Sequence, residues 1–259
     1  MALIRIDHFS ASIRQTLPLN LILPDPIRMD KPLEECPVLF LLHGLSEDAG
    51  AWLRNTQIEA YAERLGLVVV APSGGRSFYS DLPNGQAWFR YLTEELPAWL
   101  RGVFRLSLDC SHTFIAGSSM GGYGAIKAAL LTPDSYAAAA SFSGALSMDI
   151  ARFHPDEAMR MEFSLLFGDL DKLSGSAHDP QVWLRQSDPL RLPRLLVSCG
   201  LQDKLYPFSQ QFVVWARMAG IDVTWHEEPG GHDWFFWNRQ LGRFLAFAMP
   251  ERAAEIGAL

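Results

Sequence analysis

Ile115-Ala116-Gly117-Ser118-Ser119-Met120-Gly121-Gly122-Tyr123-Gly124 is the stretch whose reading decides the fold of this chain. At its centre lies Gly117-Ser118-Ser119-Met120-Gly121, a G-x-S-x-G pentapeptide. His112-Thr113-Phe114-Ile115-Ala116 precedes it as a short apolar, β-prone run, and Tyr123 to Leu131 follows it as a helix. Strand, sharp turn and helix together are the context that makes such a pentapeptide a nucleophile elbow. The turn imposes a strained backbone on the serine, and glycine on either side lets strand and helix come close. The Ser119 hydroxyl then stands at a helix N-terminus, where negative charge is favoured.

Outward from the elbow, the chain alternates strands and helices. Ile4 to Leu23 reads as two strands forming an antiparallel hairpin, closed by Pro24-Asp25-Pro26 and a charged loop running to Glu35. Pro37 to Leu42 and Leu67 to Ala71 are continuous apolar runs, the mark of strands buried on both faces, with a helix around Gln57–Leu65 between them. Pro72 to Gln86 is rich in Gly, Ser and Pro and carries Arg76, Tyr79 and Asp81; it is too long for a simple connector and is expected to help build a site. A helix from about Trp88 to Phe104 leads to the elbow. Beyond it lie strands at Ala137–Ser143, Arg194–Cys199 and Ile221–His226, with helices at Pro207–Ala219 and Asp233–Ala248. The sheet pattern lapses between Met148 and Leu192, which reads as a small irregular cap over the strand ends. The fold class is α/β: a mainly parallel central sheet with an antiparallel N-terminal hairpin and helices on both faces. No linker divides it, so residues 1–259 are expected to form a single domain, with residues 148–192 as the cap.

Composition limits the function. Apolar residues make up 49% and charged residues 20% of 259, enough for a large core. A formal net charge of −7 with no basic cluster argues against nucleic acid or an anionic membrane surface as partner. No uncharged apolar run is long enough to span a bilayer, and the N-terminus lacks the apolar stretch of a signal peptide. Cys36, Cys110 and Cys199 are odd in number and widely spaced, as expected of reduced thiols in a cytoplasmic protein. A homo-oligomer stays open.

An exposed serine becomes a strong nucleophile only beside a base. Downstream of Ser119, the order serine, acid, histidine is met by Asp203, just after the Arg194–Cys199 strand, and His232, between the last strand and the last helix. In a parallel sheet those loops open at the same edge as the elbow. His232 is then the general base and Asp203 the residue that fixes its tautomer. His43, His112, His154, His178 and His226 fit less well by position, as do Asp169, Asp171, Asp188 and Asp222. The expected oxyanion donors are the backbone N–H groups of Met120 and Leu45, the latter in His43-Gly44-Leu45 after the Pro37–Leu42 strand, with His43 holding that loop. Tyr79 and Trp234 are candidates for the substrate-pocket wall. No cofactor and no metal is expected: Tyr123 stands where a P-loop needs lysine, Lys127 where a dinucleotide fingerprint needs its third glycine, and neither H-E-x-x-H nor paired C-x-x-C occurs.

Leu41-Leu42-His43-Gly44-Leu45-Ser46, Phe114 to Gly124, Ser141 to Leu146 and Gly231-His232-Asp233-Trp234 together resemble the putative esterase family of α/β-hydrolases, over nearly the whole chain. Within that family the chain looks like the bacterial tributyrin or acetyl esterases. The resemblance implies an α/β-hydrolase fold and a serine carboxylesterase acting on a small, short-chain acyl ester. S-formylglutathione hydrolase (a thioesterase) and acyltransferase stand as the alternatives using the same three residues. Formylglutathione hydrolases usually show Ser-Gly-Leu-Thr-Cys at the oxyanion loop and histidine after the double glycine. His43-Gly44-Leu45-Ser46-Glu47 and Tyr123 stand there instead, which favours oxygen esters.

Overall fold

The computed structural model describes residues 1–25, 27 and 32–257. Part of the loop expected between Pro24 and Glu35 therefore lies outside the described residues. Strands β1 (Ala2–Ser10) and β2 (Gln15–Leu23) form the N-terminal hairpin, paired antiparallel in register from Ala2 with Leu23 to Ser10 with Gln15. Six further strands follow: β3 (Val38–Leu42), β4 (Val68–Pro72), β5 (Thr113–Ser118), β6 (Ala138–Phe142), β7 (Arg194–Gly200) and β8 (Val223–Glu228). They join the hairpin in one eight-stranded sheet of order β1-β2-β4-β3-β5-β6-β7-β8. β2 pairs antiparallel with β4, and every pairing from β4 through β8 is parallel. This is the α/β-hydrolase arrangement.

The apolar runs have a direct physical cause. Successive side chains of a strand point to opposite faces. In β3, Val38, Phe40 and Leu42 enter one buried cluster, while Leu39 and Leu41 enter the other. A helical layer covers each face, so both sets must be apolar. On one side lie α1 (Ala51–Asn55) and α2 (Ile58–Leu65), joined later in the chain by the last long helix. On the other lie α3 (Leu96–Phe104), which continues a helical run from residue 88 through a π-helical turn at Tyr91–Glu95, and α4 (Met120–Leu131). Helix α4 is buried from Met120 to Leu130, so it carries no amphipathic stripe.

The region expected to be an irregular cap is instead mostly helical. It folds as α5 (Asp149–Arg152), α6 (Glu157–Phe167) and α7 (Pro180–Gln186). Asp156 and Asp179, which resemble loop residues in the sequence, are N-caps: Asp156 accepts from the Ala158 and Met159 N–H groups, Asp179 from that of Gln181. Phe163 and Phe167, one helical turn apart, bury the inner face of α6, while Trp183 and Leu184 anchor α7 in the core. Helices α8 (Tyr206–Met218), α9 (Trp234–Ala248) and α10 (Ala253–Ile256) complete the chain.

Candidate active site

Four loops leave the C-terminal ends of β3, β5, β7 and β8 and meet above the sheet. Ser119 joins β5 to α4 with φ 53° and ψ −115°, a conformation L-residues avoid. Its N–H donates to Phe142 O at 2.9 Å, and its carbonyl accepts from Tyr123 N–H at 3.1 Å and Ala145 N–H at 3.2 Å. Those three bonds hold the strained turn. The flanking glycines are required by close approach. A Cβ at Gly117 would lie 2.5 Å from the Gly121 backbone, and one at Gly121 only 2.3 Å from Leu42 O.

The acid and base loops are stitched together. Leu201 N–H donates to Glu228 O and Gln202 N–H to Gly230 O, both at 3.0 Å, and Gly230 N–H donates to Gln202 Oε1 at 2.8 Å. Asp233 caps α9 by accepting from Phe236 N–H, which places His232 just before the helix. The result is one line of hydrogen bonds: His232 Nδ1 lies 2.9 Å from Asp203 Oδ2, and His232 Nε2 lies 3.0 Å from Ser119 Oγ. An ionised carboxylate only accepts, so Nδ1 carries the proton and Nε2 is left to accept from the serine. Burial alone would push the Asp203 carboxyl up. The hydrogen bond and charge of His232, with the Leu205 N–H and the Ser143 hydroxyl, outweigh burial and hold it below the ordinary carboxylate range.

Three successive peptide planes of the loop after β3 are tied down. His43 is 1% exposed; its Nε2 accepts from Gly74 N–H at 2.9 Å, so Nδ1 bears the proton and donates to Gly44 O at 2.7 Å. Burial lowers the His43 pKa and keeps this ring neutral, in spite of that hydrogen bond to Gly44 and the charge of Asp48. In a trans peptide the N–H points opposite to the carbonyl. Holding Gly44 O inward therefore turns Leu45 N–H toward the cleft. Across that cleft, Met120 N–H belongs to the first turn of α4, where the helix supplies no acceptor. Arg76 donates to Leu45 O at 3.2 Å and forms a bidentate ion pair with Glu162 on α6.

The cleft above Ser119 holds about 680 Å³. Gly44, Leu45, Ser46 and Glu47 form one wall, Phe78, Ile150, Met159 and Phe163 an apolar wall, and Lys204, Leu205, His232 and Trp237 the third. Two expectations for the pocket wall are corrected here. Tyr79 is 1% exposed and turned inward, its hydroxyl donating to His43 O at 3.2 Å, and Phe78 faces the cleft in its place. Trp234 packs edge-on against Trp52 and Trp237, 5.0 and 4.9 Å between ring centroids, and Trp237 reaches the cleft. Trp237 also stands edge-on to the His232 ring at 5.0 Å and donates through Nε1 to Ser143 Oγ at 3.1 Å. Ser143 directly follows β6; in the sequence it is marked only by its place at a predicted strand end and within the Ser141–Leu146 stretch.

The other histidines lie apart from this line. His226 pairs with Glu228, His112 is exposed beside Ser111, and His178 packs on Phe167. His154 reaches the cleft rim and accepts from Asp156 N–H. Cys36 and Cys199 are buried and Cys110 is exposed. Among the described residues no group of three or more His, Cys, Asp or Glu could hold a metal ion, and no helix is long and apolar enough to cross a membrane.

A mainly parallel sheet with a serine, a histidine and an aspartate hydrogen-bonded in line at its C-terminal edge is the arrangement of the serine enzymes of the α/β-hydrolase fold, esterases among them. The chain belongs to the family described as "Putative esterase", whose model matches residues 10–248. It is 29% identical over 254 residues to an acetyl esterase of Caldicellulosiruptor saccharolyticus, covering 93% of this chain and 96% of that one. It superposes on the Staphylococcus aureus fluorophosphonate-binding serine hydrolase F with a TM-score of 0.87 and 30% identity, over 95% of this chain and 98% of the other. An S-formylglutathione hydrolase from S. aureus gives a TM-score of 0.85, again at 30% identity and the same coverage. The protein is a carboxylic ester hydrolase.

Proposed function

We propose that this enzyme hydrolyses short-chain acyl esters through an acyl-enzyme on Ser119, with His232 as base and then acid and Asp203 as its orienting partner. The observation that carries the reading is the unbroken hydrogen-bonded line from Asp203 through His232 to Ser119 Oγ, at 2.9 and 3.0 Å. As Ser119 Oγ attacks the ester carbonyl, His232 Nε2 takes its proton, and the charge on Asp203 stabilises the imidazolium. The carbonyl oxygen becomes an oxyanion, received by Leu45 and Met120 N–H. His232 then protonates the departing alkoxide, and a water deprotonated by the same ring hydrolyses the acyl-enzyme.

The acyl group is read as short because the acetyl esterase is similar over almost its whole length. A second reading, hydrolysis of a formylated thiol, draws support from the S-formylglutathione hydrolase among the structural neighbours. Both run as one domain over residues 1–259, with residues 148–192 as the cap, and three reduced thiols suit the cytoplasm. Ser119→Ala should abolish turnover of p-nitrophenyl acetate while leaving the melting temperature within a few degrees of the parent. Substantial remaining activity removes Ser119 as the nucleophile. Acetyl, butyryl and octanoyl esters measured beside S-formylglutathione separate the two substrate readings.

A further inference from the structure

Glu47 is the charged side chain of the oxyanion-loop wall, and the mechanism above does not use it. It is half-buried, and its Oε2 accepts from Gly44 N–H at 2.7 Å. Burial pushes its carboxyl up against the pull of that N–H and of His232, with a net rise. Keeping a carboxylate there is therefore costly, and a solvated position on the rim would avoid the cost.

The Gly44 N–H belongs to the same peptide plane as His43 O, which Tyr79 holds with its hydroxyl at 3.2 Å. N–H and carbonyl lie at opposite ends of a trans peptide. Glu47 and Tyr79 thus hold one plane from both ends, and loss of either weakens the restraint on its turning about the axis through the two Cα atoms. The following plane carries the Leu45 N–H; its carbonyl end, Gly44 O, receives His43 Nδ1 at 2.7 Å and Glu47 N–H at 3.3 Å. A turn of the first plane swings Gly44 and moves the second with it.

We propose that Glu47 is a positioning residue for the oxyanion hole: by accepting the Gly44 N–H it fixes the loop so that the Leu45 N–H stays turned into the cleft. This rests on the reading of Ser119 as nucleophile and Leu45 as oxyanion donor. Loss of one such donor typically costs about 10²–10³ in kcat, and a loop that visits the wrong orientation loses part of that.

The test compares E47A, E47Q and E47D on p-nitrophenyl acetate, with thermal melting to establish folding. E47A is expected to lower kcat about tenfold or more while KM stays within about threefold, because a transition-state contact is lost rather than ground-state binding. E47Q restores most of that loss, since its amide oxygen accepts the same N–H. E47D, one methylene too short, falls with E47A. If E47A does not fold, the E47Q and E47D pair makes the same comparison. The proposal is overturned if E47A keeps kcat within about twofold of the parent, if the loss appears in KM, or if E47Q is as slow as E47A or E47D. Ser119→Ala is run alongside: activity surviving in that variant overturns the underlying reading, whereas an inactive Ser119→Ala beside an unimpaired E47A overturns the Glu47 role alone.

Discussion

Replacing Gly121 by alanine tests the elbow and the oxyanion hole together. A Cβ at this position would lie 2.3 Å from Leu42 O, 2.7 Å from Leu42 C and 2.8 Å from His43 O, where ordinary contact begins near 3.4 Å. The obstruction is backbone, so no side chain can swing aside. Leu42 pairs with Gly117 of β5, and its carbonyl also receives Trp52 Nε1–H at 2.9 Å, so β3 is held where it is. Relief must therefore come from about 1 Å of separation between the start of α4 and the loop after β3. Those two pieces carry the Met120 and Leu45 N–H groups. A misplacement of that size costs about 10²-fold in rate, equivalent to about 2.7 kcal/mol of transition-state stabilisation. Overpacking should add about 1–3 kcal/mol of destabilisation, a melting temperature lower by roughly 2–12 °C for a chain of this size. Thermal melts and kcat on p-nitrophenyl acetate measure both. Gly102→Ala is the control: it lies exposed in α3 with nothing within 4 Å of its Cβ. It should leave kcat unchanged and gain about 0.5–1 kcal/mol of stability. A folded Gly121→Ala variant with kcat within about threefold of the parent would refute the reasoning.

Two further outcomes follow from groups remote from the nucleophile. Lys127 is 5% exposed, its ammonium bonded to Ser80 Oγ at 2.7 Å and facing Phe89, Tyr123 and Trp183, and burial pushes its pKa down to about 8 in spite of Asp81. Between pH 8 and the unfolded value near 10.5, the unfolded chain holds a proton that the folded chain has released, so this group makes stability rise with pH across that window. Relative to Lys127→Met, the parent should gain on the order of 2 kcal/mol between pH 8 and 10 in denaturant titrations, and a flat difference would exclude the charge as the cause. Arg76→Ala breaks an ion pair that is partly exposed on both sides, worth at most about 1 kcal/mol in stability. Because it also releases Leu45 O, kcat/KM should fall about tenfold while the melting temperature moves by no more than a few degrees; unchanged kinetics would make the pair ornamental.

The sequence was most legible where burial on two faces or a strained turn leaves a simple mark. Strands β3, β4 and β5 read as continuous apolar runs because both neighbouring layers are helices. Ser119, Asp203 and His232 could be singled out because each follows a parallel strand, which sends all three loops to one edge. Side-chain direction inside loops was not legible. Phe78 and Tyr79 both have positive φ, 53° and 47°, which removes the alternation that would have told them apart. Trp234 and Trp237 lie one turn apart on the same helical face, and only the position of Trp52, brought in by α1, leaves the second of them facing the cleft. Lys127 was equally hidden. A lysine in a helix ordinarily marks the wet side, but α4 has none, since the loop around Ser80 and helix α7 cover its outer face.

The loop from Ser73 to Gln86 shows why a long segment without regular structure belongs next to this site. Its composition suggests a binding loop, yet Gly74, Arg76 and Tyr79 all turn a donor to the loop after β3. Gly74 N–H fixes the His43 tautomer, Tyr79 grips His43 O, and Arg76 grips Leu45 O. Phe78 alone of these four turns to the cleft. A two- or three-residue connector could not deliver donors to the His43 ring and to the His43 and Leu45 carbonyls at once. The left-handed turn at Phe78 and Tyr79 is what sends adjacent aromatic rings in opposite directions, one to the cleft and one beneath it. Ordering such a loop costs conformational entropy, about 1–2 kcal/mol per residue, and that cost falls before substrate binds. In the proposed reaction the Leu45 N–H is then already aimed when charge develops on the carbonyl oxygen, so no reorganisation remains to be done in the transition state. On this view the loop after β4 serves catalysis by immobilising the loop after β3, and contact with substrate is the smaller part of its work.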